Sequence, residues 1–198
     1  MPFAHRGVGV SGADRERWDA RHAAVGPGAP MPPDGLRGRL ELLPGGASPT
    51  DRGGLPGGGR ALDVACGRGA VAVWLAQRRF AVDAVDVSAT GLAAARTLAE
   101  SERVAVRFLE ADLDAGLPVA GPYDLVVCQR YRDPTLYPAL AAALAPGGLL
   151  VLTVLSEVGD EGGRFRAPAG ELAGAFPQLE TLDHREGGGE ATLLARRP

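Results

Sequence analysis

Few folds accommodate the stretch Arg-Ala-Leu-Asp-Val-Ala-Cys-Gly-Arg-Gly-Ala-Val-Ala at residues 60–72. Ala61 to Ala65 is a short apolar run that reads as a buried strand. Gly67 and Gly69 interrupt it, and Ala70 to Ala76 then reads as a helix. In α/β proteins a strand, a tight glycine turn and a helix N-terminus in succession bring bare backbone up to a ligand. With no Cβ at Gly67 or Gly69, a ligand is expected to lie directly against the main chain.

Asp63 discriminates between ligands. A carboxylate at the mouth of the strand repels a pyrophosphate but tolerates a ligand carrying an ammonium group and a sulfonium. The pattern D-x-x-x-G-x-G therefore favours S-adenosylmethionine over NAD, and at these residues the chain resembles the class I S-adenosylmethionine-dependent methyltransferases. The resemblance implies an α/β fold, a seven-stranded Rossmann-like sheet that is mostly parallel with one antiparallel C-terminal strand, flanked by helices. It also implies S-adenosylmethionine as cofactor and S-adenosylhomocysteine as product, with Asp63, Ala65, Cys66, Gly67 and Gly69 around the cofactor.

The alternating body that follows supplies further candidates. Residues 81–86 read as a second strand ending in Asp86, which stands 19 residues beyond Gly67. That is close to the offset at which an acid accepts bonds from both ribose hydroxyls. Val87 and Ser88 are expected beside the cofactor, and Ser88 is expected to cap a helix over 89–101. A third strand over 104–109 leads to Ala111, Asp112 and Leu113. By the resemblance this turn holds adenine: the carboxylate of Asp112 accepts from the exocyclic amine and the Leu113 N–H donates to the ring.

A fourth strand, 123–128, ends in Cys-Gln-Arg-Tyr-Arg-Asp-Pro, where the methyl acceptor is expected because ligands sit off the carboxyl ends of parallel strands. Methyltransferases acting on amide or base nitrogens carry Asn-Pro-Pro-Tyr here, so that acceptor class is disfavoured. The phrase resembles the C-x-R-Y-L/R-D stretch of small bacterial, tellurite-resistance-like methyltransferases with small-molecule acceptors. The carbonyl of Cys128 or of Gln129 is expected to hold the cofactor's ammonium. Arg130, Tyr131 and Arg132 are the candidate acceptor contacts, the arginines either holding an anionic acceptor or standing in solvent. Displacement at a sulfonium needs a base only when the nucleophile must lose a proton, and Tyr131, Asp133 and His22 are the candidates.

Ahead of the core, a charged helix over 13–24 is expected, capped by Ser11, with Trp18 its one large apolar side chain. The resembling methyltransferases carry a W-x-x-R/K element there that lies over the cofactor as a lid, which places Trp18 near the sulfonium, where an aromatic face favours a cation. His22, four residues on, shares its face. The Pro-rich run 26–33 is irregular, a second helix is expected over 34–43, and 44–59 reads as a flexible Gly/Pro connector. Residues 1–59 thus form lid helices and linker, and 60–198 the cofactor-binding domain. Beyond the fourth strand, a helix over 134–144, a Pro-Gly-Gly turn into a strand ending at Val154, a loop at 156–165 and a helix over 168–176 are expected. Strands at 179–184 and 191–195 then form a terminal hairpin, with His184 and Glu186 near its mouth.

Net charge is −3 with no basic run, which argues against a nucleic-acid partner. No apolar run reaches the length of a membrane span and the N-terminus lacks a signal-peptide core, so a cytoplasmic monomer or homodimer is expected. Cys66 and Cys128 end neighbouring strands and are expected as small packing residues rather than a disulfide. No metal-ligand spacing occurs. Two rival functions remain open: a protein that binds S-adenosylmethionine without methyl transfer, and a NAD-dependent oxidoreductase, since Gly67-x-Gly69-x-x-Ala72 also satisfies a permissive dinucleotide fingerprint.

Overall fold

The computed structural model describes residues 12–26, 28–43, 58–160, 162–163 and 165–198. Ser11 and residues 44–57 of the expected connector lie outside them. The first five strands are β1 (Arg60–Val64), β2 (Ala81–Asp86), β3 (Arg107–Glu110), β4 (Tyr123–Gln129) and β5 (Leu144–Leu155), of which β3 lies at the sheet edge. The C-terminal hairpin supplies β6 (Glu180–Gly187) and β7 (Glu190–Arg196). They form one seven-stranded sheet in the order β3-β2-β1-β4-β5-β7-β6, and β7 runs antiparallel between β5 and β6. The chain order reverses between β1 and β4, so the crevice at their carboxyl ends is where ligands bind in such sheets.

Both faces of the sheet are covered, as the near-continuous apolar strands require. On one face Ala61, Leu125, Val127, Leu149 and Val151 pack with α2 (Ala70–Gln77) and with Leu36 and Leu43 of the N-terminal segment. On the other, Leu62, Val64, Val126, Leu150 and Leu152 pack with residues of α4 (Tyr137–Ala142) and α5 (Glu171–Gly174). Helix α3 (Ala89–Ser101) contacts α2, β2 and β3, and its Ser88 cap forms as expected, the hydroxyl accepting from the Gly91 N–H at 2.9 Å. Helix α1 (Gly12–Ala23) lies against α3.

Several boundaries depart from the sequence reading. Residues 34–43 are not one helix but two 3-10 turns, Asp34–Leu36 and Leu40–Leu42, because Gly38 between them takes φ +75°. β3 begins only at Arg107, three residues later than expected from Val104. The helices expected over 134–144 and 168–176 shrink to α4 and α5. The Asp133 carboxylate accepts from the Thr135 N–H and hydroxyl at 2.9 and 2.7 Å, fixing a turn ahead of α4. The Pro146-Gly147-Gly148 turn is absorbed into β5 as an irregularity in its pairing with β4, between Tyr123↔Leu144 and Leu125↔Leu149. Near the hairpin mouth, Glu186 accepts from the Ser156 hydroxyl at 2.8 Å and the Gly170 N–H at 2.9 Å, while His184 Nε2 is buried without a partner among the described residues. Cys66 and Cys128 are free thiols. Among the described residues, no helix is long and apolar enough to cross a membrane.

Candidate functional site

β1 ends in a turn that only unusual dihedrals can make. Ala65 sits at φ +55° and Gly67 at φ +53°, the left-handed region that costs an alanine roughly 1–2 kcal/mol. The turn is held from below: the Cys66 N–H donates to Val85 O and the Gly69 N–H to Cys66 O, each at 2.9 Å. The two glycines serve different ends. A Cβ at Gly69 would stand 2.7 Å from Ala95 Cβ, so its bareness lets α3 pack against the turn. At Gly67 the neighbour is the imidazole of His22, whose Cε1 would lie 3.2 Å from a Cβ.

Asp63 is buried on the α2 side of β1, only 3 % exposed. Burial is the main force pushing its carboxyl up to about 8; the Ala72 N–H opposes the shift and the charge of Asp86 adds to it. Its Oδ2 is buried with no partner among the described residues. An orphaned buried carboxyl oxygen is costly and is relieved by a donor or a cation.

At the end of β2, Asp86 turns back toward the same turn. Its Oδ2 accepts from the Gly67 N–H at 2.7 Å and its Oδ1 from the Ser88 N–H at 2.8 Å. Val87 between them is half-buried and Ser88 is fully buried. Across the sheet edge the Ala111 N–H donates to Asp86 O at 3.0 Å. That bond brings the Ala111-Asp112-Leu113 turn alongside. Asp112 is half-buried, with Oδ1 accepting from the Asp114 N–H at 3.0 Å, while the Leu113 side chain belongs to the core.

At the end of β4, Cys128 lies beside Val64 of β1 and Gln129 follows. The Cys128 thiol is raised by burial and by the charges of Asp63 and Asp133, so it stays protonated. Tyr131 is half-buried against the core, and burial, reinforced by Asp133 and Asp114, raises its phenol well above the usual range. The phenol therefore holds its proton at neutral pH. Both arginines are paired with carboxylates. Arg130, at φ +58°, donates from Nε to Glu190 at 3.0 Å and stands 3.9 Å from Asp34. Arg132 forms a two-pronged pair with Glu171, its Nε 2.9 Å from Oε1. The Gln129 amide donates to Asp34 at 3.3 Å, tying the end of β4 to the N-terminal segment.

Helix α1 reaches this edge of the sheet. Asp19 accepts from the Ser88 hydroxyl at 2.5 Å and the Thr90 N–H at 3.1 Å. The Arg68 guanidinium donates to His22 O at 2.5 Å and Gly26 O at 2.8 Å. Arg17 stands 5.5 Å from the Phe165 ring, in the loop after β5. Trp18 stacks on His22 with ring centroids 6.1 Å apart, and Arg21 lies 5.6 Å from its centre. The structure therefore brings His22 to the Gly67–Asp86 side of the crevice, whereas Asp133 borders Tyr131. Sequence reasoning missed Asp19, Arg68 and Gly91. Gly91 carried a signal, since glycine inside a helix is unfavourable unless something must approach closely.

Residues 61–148 match the protein-family model described as a methyltransferase domain. The ribosomal RNA small subunit methyltransferase C of Chromohalobacter salexigens is 37 % identical over 129 residues, covering 60 % of this chain and 36 % of that protein. The ubiquinone biosynthesis O-methyltransferase of Caulobacter sp. strain K31 is 33 % identical over 103 residues, 49 % of this chain and 41 % of that protein. TehB from Haemophilus influenzae superposes with a TM-score of 0.63 at 20 % identity, over 71 % of this chain and 58 % of that one. The chain thus spans about two-fifths of the length of these two curated relatives. Fold and match together liken residues 61–148 to a class I methyltransferase domain, and the cofactor this likeness implies is S-adenosylmethionine. The donor set fits that cofactor: an unpartnered carboxylate oxygen beneath a bare-backbone turn, and a second acid at the neighbouring strand end.

Proposed function

We propose that the protein transfers a methyl group from S-adenosylmethionine to a small-molecule acceptor by direct in-line displacement. The observation that carries this reading is the buried, unpartnered oxygen of Asp63 under the Ala65–Gly67 turn. Asp63 there attracts the ammonium end of the methyl donor, with the carbonyl of Cys128 or Gln129 beside it. Asp86 accepts from the ribose hydroxyls, and the Asp112–Leu113 turn holds adenine. Bound S-adenosylmethionine supplies a methyl group already activated by its sulfonium. The chain's own work is alignment and exclusion of water, which accounts for roughly 7–11 kcal/mol in well-oriented systems. Tyr131, held protonated, donates a hydrogen bond that orients the acceptor. Of the base candidates, Asp133 borders it, and that carboxylate already caps the Thr135 turn. Acceptors that arrive already deprotonated, or that need not lose a proton, are accordingly favoured.

A small acceptor is supported by the roof over the strand ends, where α1 reaches both the Ser88 turn and Phe165, and by the pairing of Arg130 and Arg132 with carboxylates. A macromolecular acceptor is the second reading, favoured by the 37 % identity to a ribosomal RNA methyltransferase. S-adenosylhomocysteine formation measured against a cell extract split by ultrafiltration separates the two. Turnover confined to the filtrate supports the small acceptor, turnover confined to the ribosome-containing retentate replaces it with the second reading, and binding of S-adenosylmethionine without turnover on either removes the enzyme assignment.

A further inference from the structure

The imidazole of His22 sits in a notch built from the segments that flank the cofactor site. A Cβ at Gly91, in the first turn of α3, would come within 3.0 Å of His22 Cδ2, and one at Gly67 within 3.2 Å of Cε1. Two glycines on two different elements therefore leave room for one ring. The charges of Asp86, which holds the Gly67 and Ser88 amides, and of Asp19 act on it in one sense, and those of Arg68 and Arg21 in the other. The ring is half-buried and neither of its nitrogens has a hydrogen-bond partner among the described residues.

Two anchors hold the ring there. Arg68, itself part of the glycine turn, binds the carbonyl of His22, and Asp19, one turn earlier on α1, binds the Ser88 hydroxyl and Thr90 amide. A side chain needed only to pack would be served by any apolar residue of that size. A ring whose nitrogens have no partner among the described residues, beside the acid at the end of β2, can bond the same hydroxyls that the acid would accept from.

Resting on the methyl-donor reading above, we infer that His22 is a cofactor-binding residue and not a catalytic base: its ring bonds the ribose hydroxyls of S-adenosylmethionine beside Asp86, and Asp19 and Arg68 position it. Burial lowers the affinity of His22 for a proton, so the ring is neutral at neutral pH and carries one N–H donor and one acceptor nitrogen. That suits a pair of vicinal hydroxyls, each of which both donates and accepts.

The test compares S-adenosylhomocysteine with its 2′,3′-dideoxy counterpart by titration calorimetry, on the full chain, for wild type, His22→Phe and Asp19→Ala. His22→Phe keeps a ring against Gly67 and Gly91 but removes both nitrogens. The expected result is about tenfold weaker binding of S-adenosylhomocysteine to His22→Phe, the worth of one hydrogen bond, with binding of the dideoxy compound unchanged. Asp19→Ala, which frees α1 without touching the ligand, should show the same selective loss. Equal weakening of both ligands would mean that His22 only seats the helix, and no weakening of either would mean that it is a bystander; both overturn the inference. A wild-type protein that binds neither ligand would instead remove the methyl-donor reading, which the wild-type titration shows separately.

Discussion

The carboxylate of Asp86 grips the backbone amide of Gly67 at 2.7 Å, joining the end of β2 to the turn after β1. One side chain thereby shapes the turn and stays available to a ligand, because each carboxylate oxygen retains a second lone pair. Asp86→Ala should weaken S-adenosylhomocysteine by about 10–100-fold, the range for losing charged hydrogen bonds. It should also lower the melting temperature, since the Gly67 and Ser88 amides lose their acceptor. Calorimetric titration and thermal unfolding of the same variant check both, and unchanged affinity with a lowered melting point would reduce Asp86 to a turn clamp.

Asp63 gives a pH dependence with a definite sign. Its carboxyl is raised in the fold to about 8 from an ordinary 3.8, chiefly by burial. Between those values the folded chain holds a proton that the unfolded chain has released, so stability falls as pH rises through this window, by at most about 1.4 kcal/mol per pH unit from this group. Binding of an ammonium group runs the other way. It favours the carboxylate, so a proton leaves on binding at pH 7 and affinity climbs toward pH 8. Asp63→Asn should flatten the stability profile and abolish the proton release. Denaturation across pH, and calorimetry in buffers of differing ionisation enthalpy, measure the two.

Gly69 gives a packing test. A methyl group there would meet Ala95 Cβ at 2.7 Å while holding φ at +76°. Overpacking and the left-handed backbone together cost about 2–4 kcal/mol, a fall of roughly 5–15 °C for a chain of this size. Gly69→Ala should therefore lose thermal stability more than cofactor affinity. A variant that melts normally but fails to bind would instead place Gly69 against the ligand.

What the sequence disclosed and what it withheld divide along a physical line. The elements around Asp63, Gly67, Asp86 and Ser88 were legible because apolar runs, glycine punctuation and a capping serine are local signals, and β2 and α3 fall on the expected residues. The break at Gly38 was not, since the expected helix had Leu36, Leu40 and Leu43 on one side and only the backbone angle contradicts it. Side-chain partnership was least legible. Nothing within Arg130-Tyr131-Arg132 says that Glu190 and Glu171, 60 and 39 residues away, take up both arginines. Asp19 and Ser88, 69 residues apart, are equally invisible to one another until α1 is docked.

Arg132 allows that last point to be tried. Its guanidinium forms a two-pronged pair with Glu171, which also accepts from the Tyr137 hydroxyl at 2.8 Å, and both charged side chains are about four-fifths buried. Removing one partner of such a pair leaves the other charge stranded, whereas replacing both with apolar groups of similar size is often neutral. Arg132→Met should lower stability by about 2–4 kcal/mol, and the double variant Arg132→Met, Glu171→Met should recover most of that loss. If Arg132 instead grips the acceptor, the double variant would fold well yet show a raised KM with kcat and cofactor affinity unchanged. Urea denaturation read beside steady-state kinetics distinguishes the two, and the structural pairing predicts recovery of stability with KM within about twofold of wild type, a margin of roughly 0.4 kcal/mol.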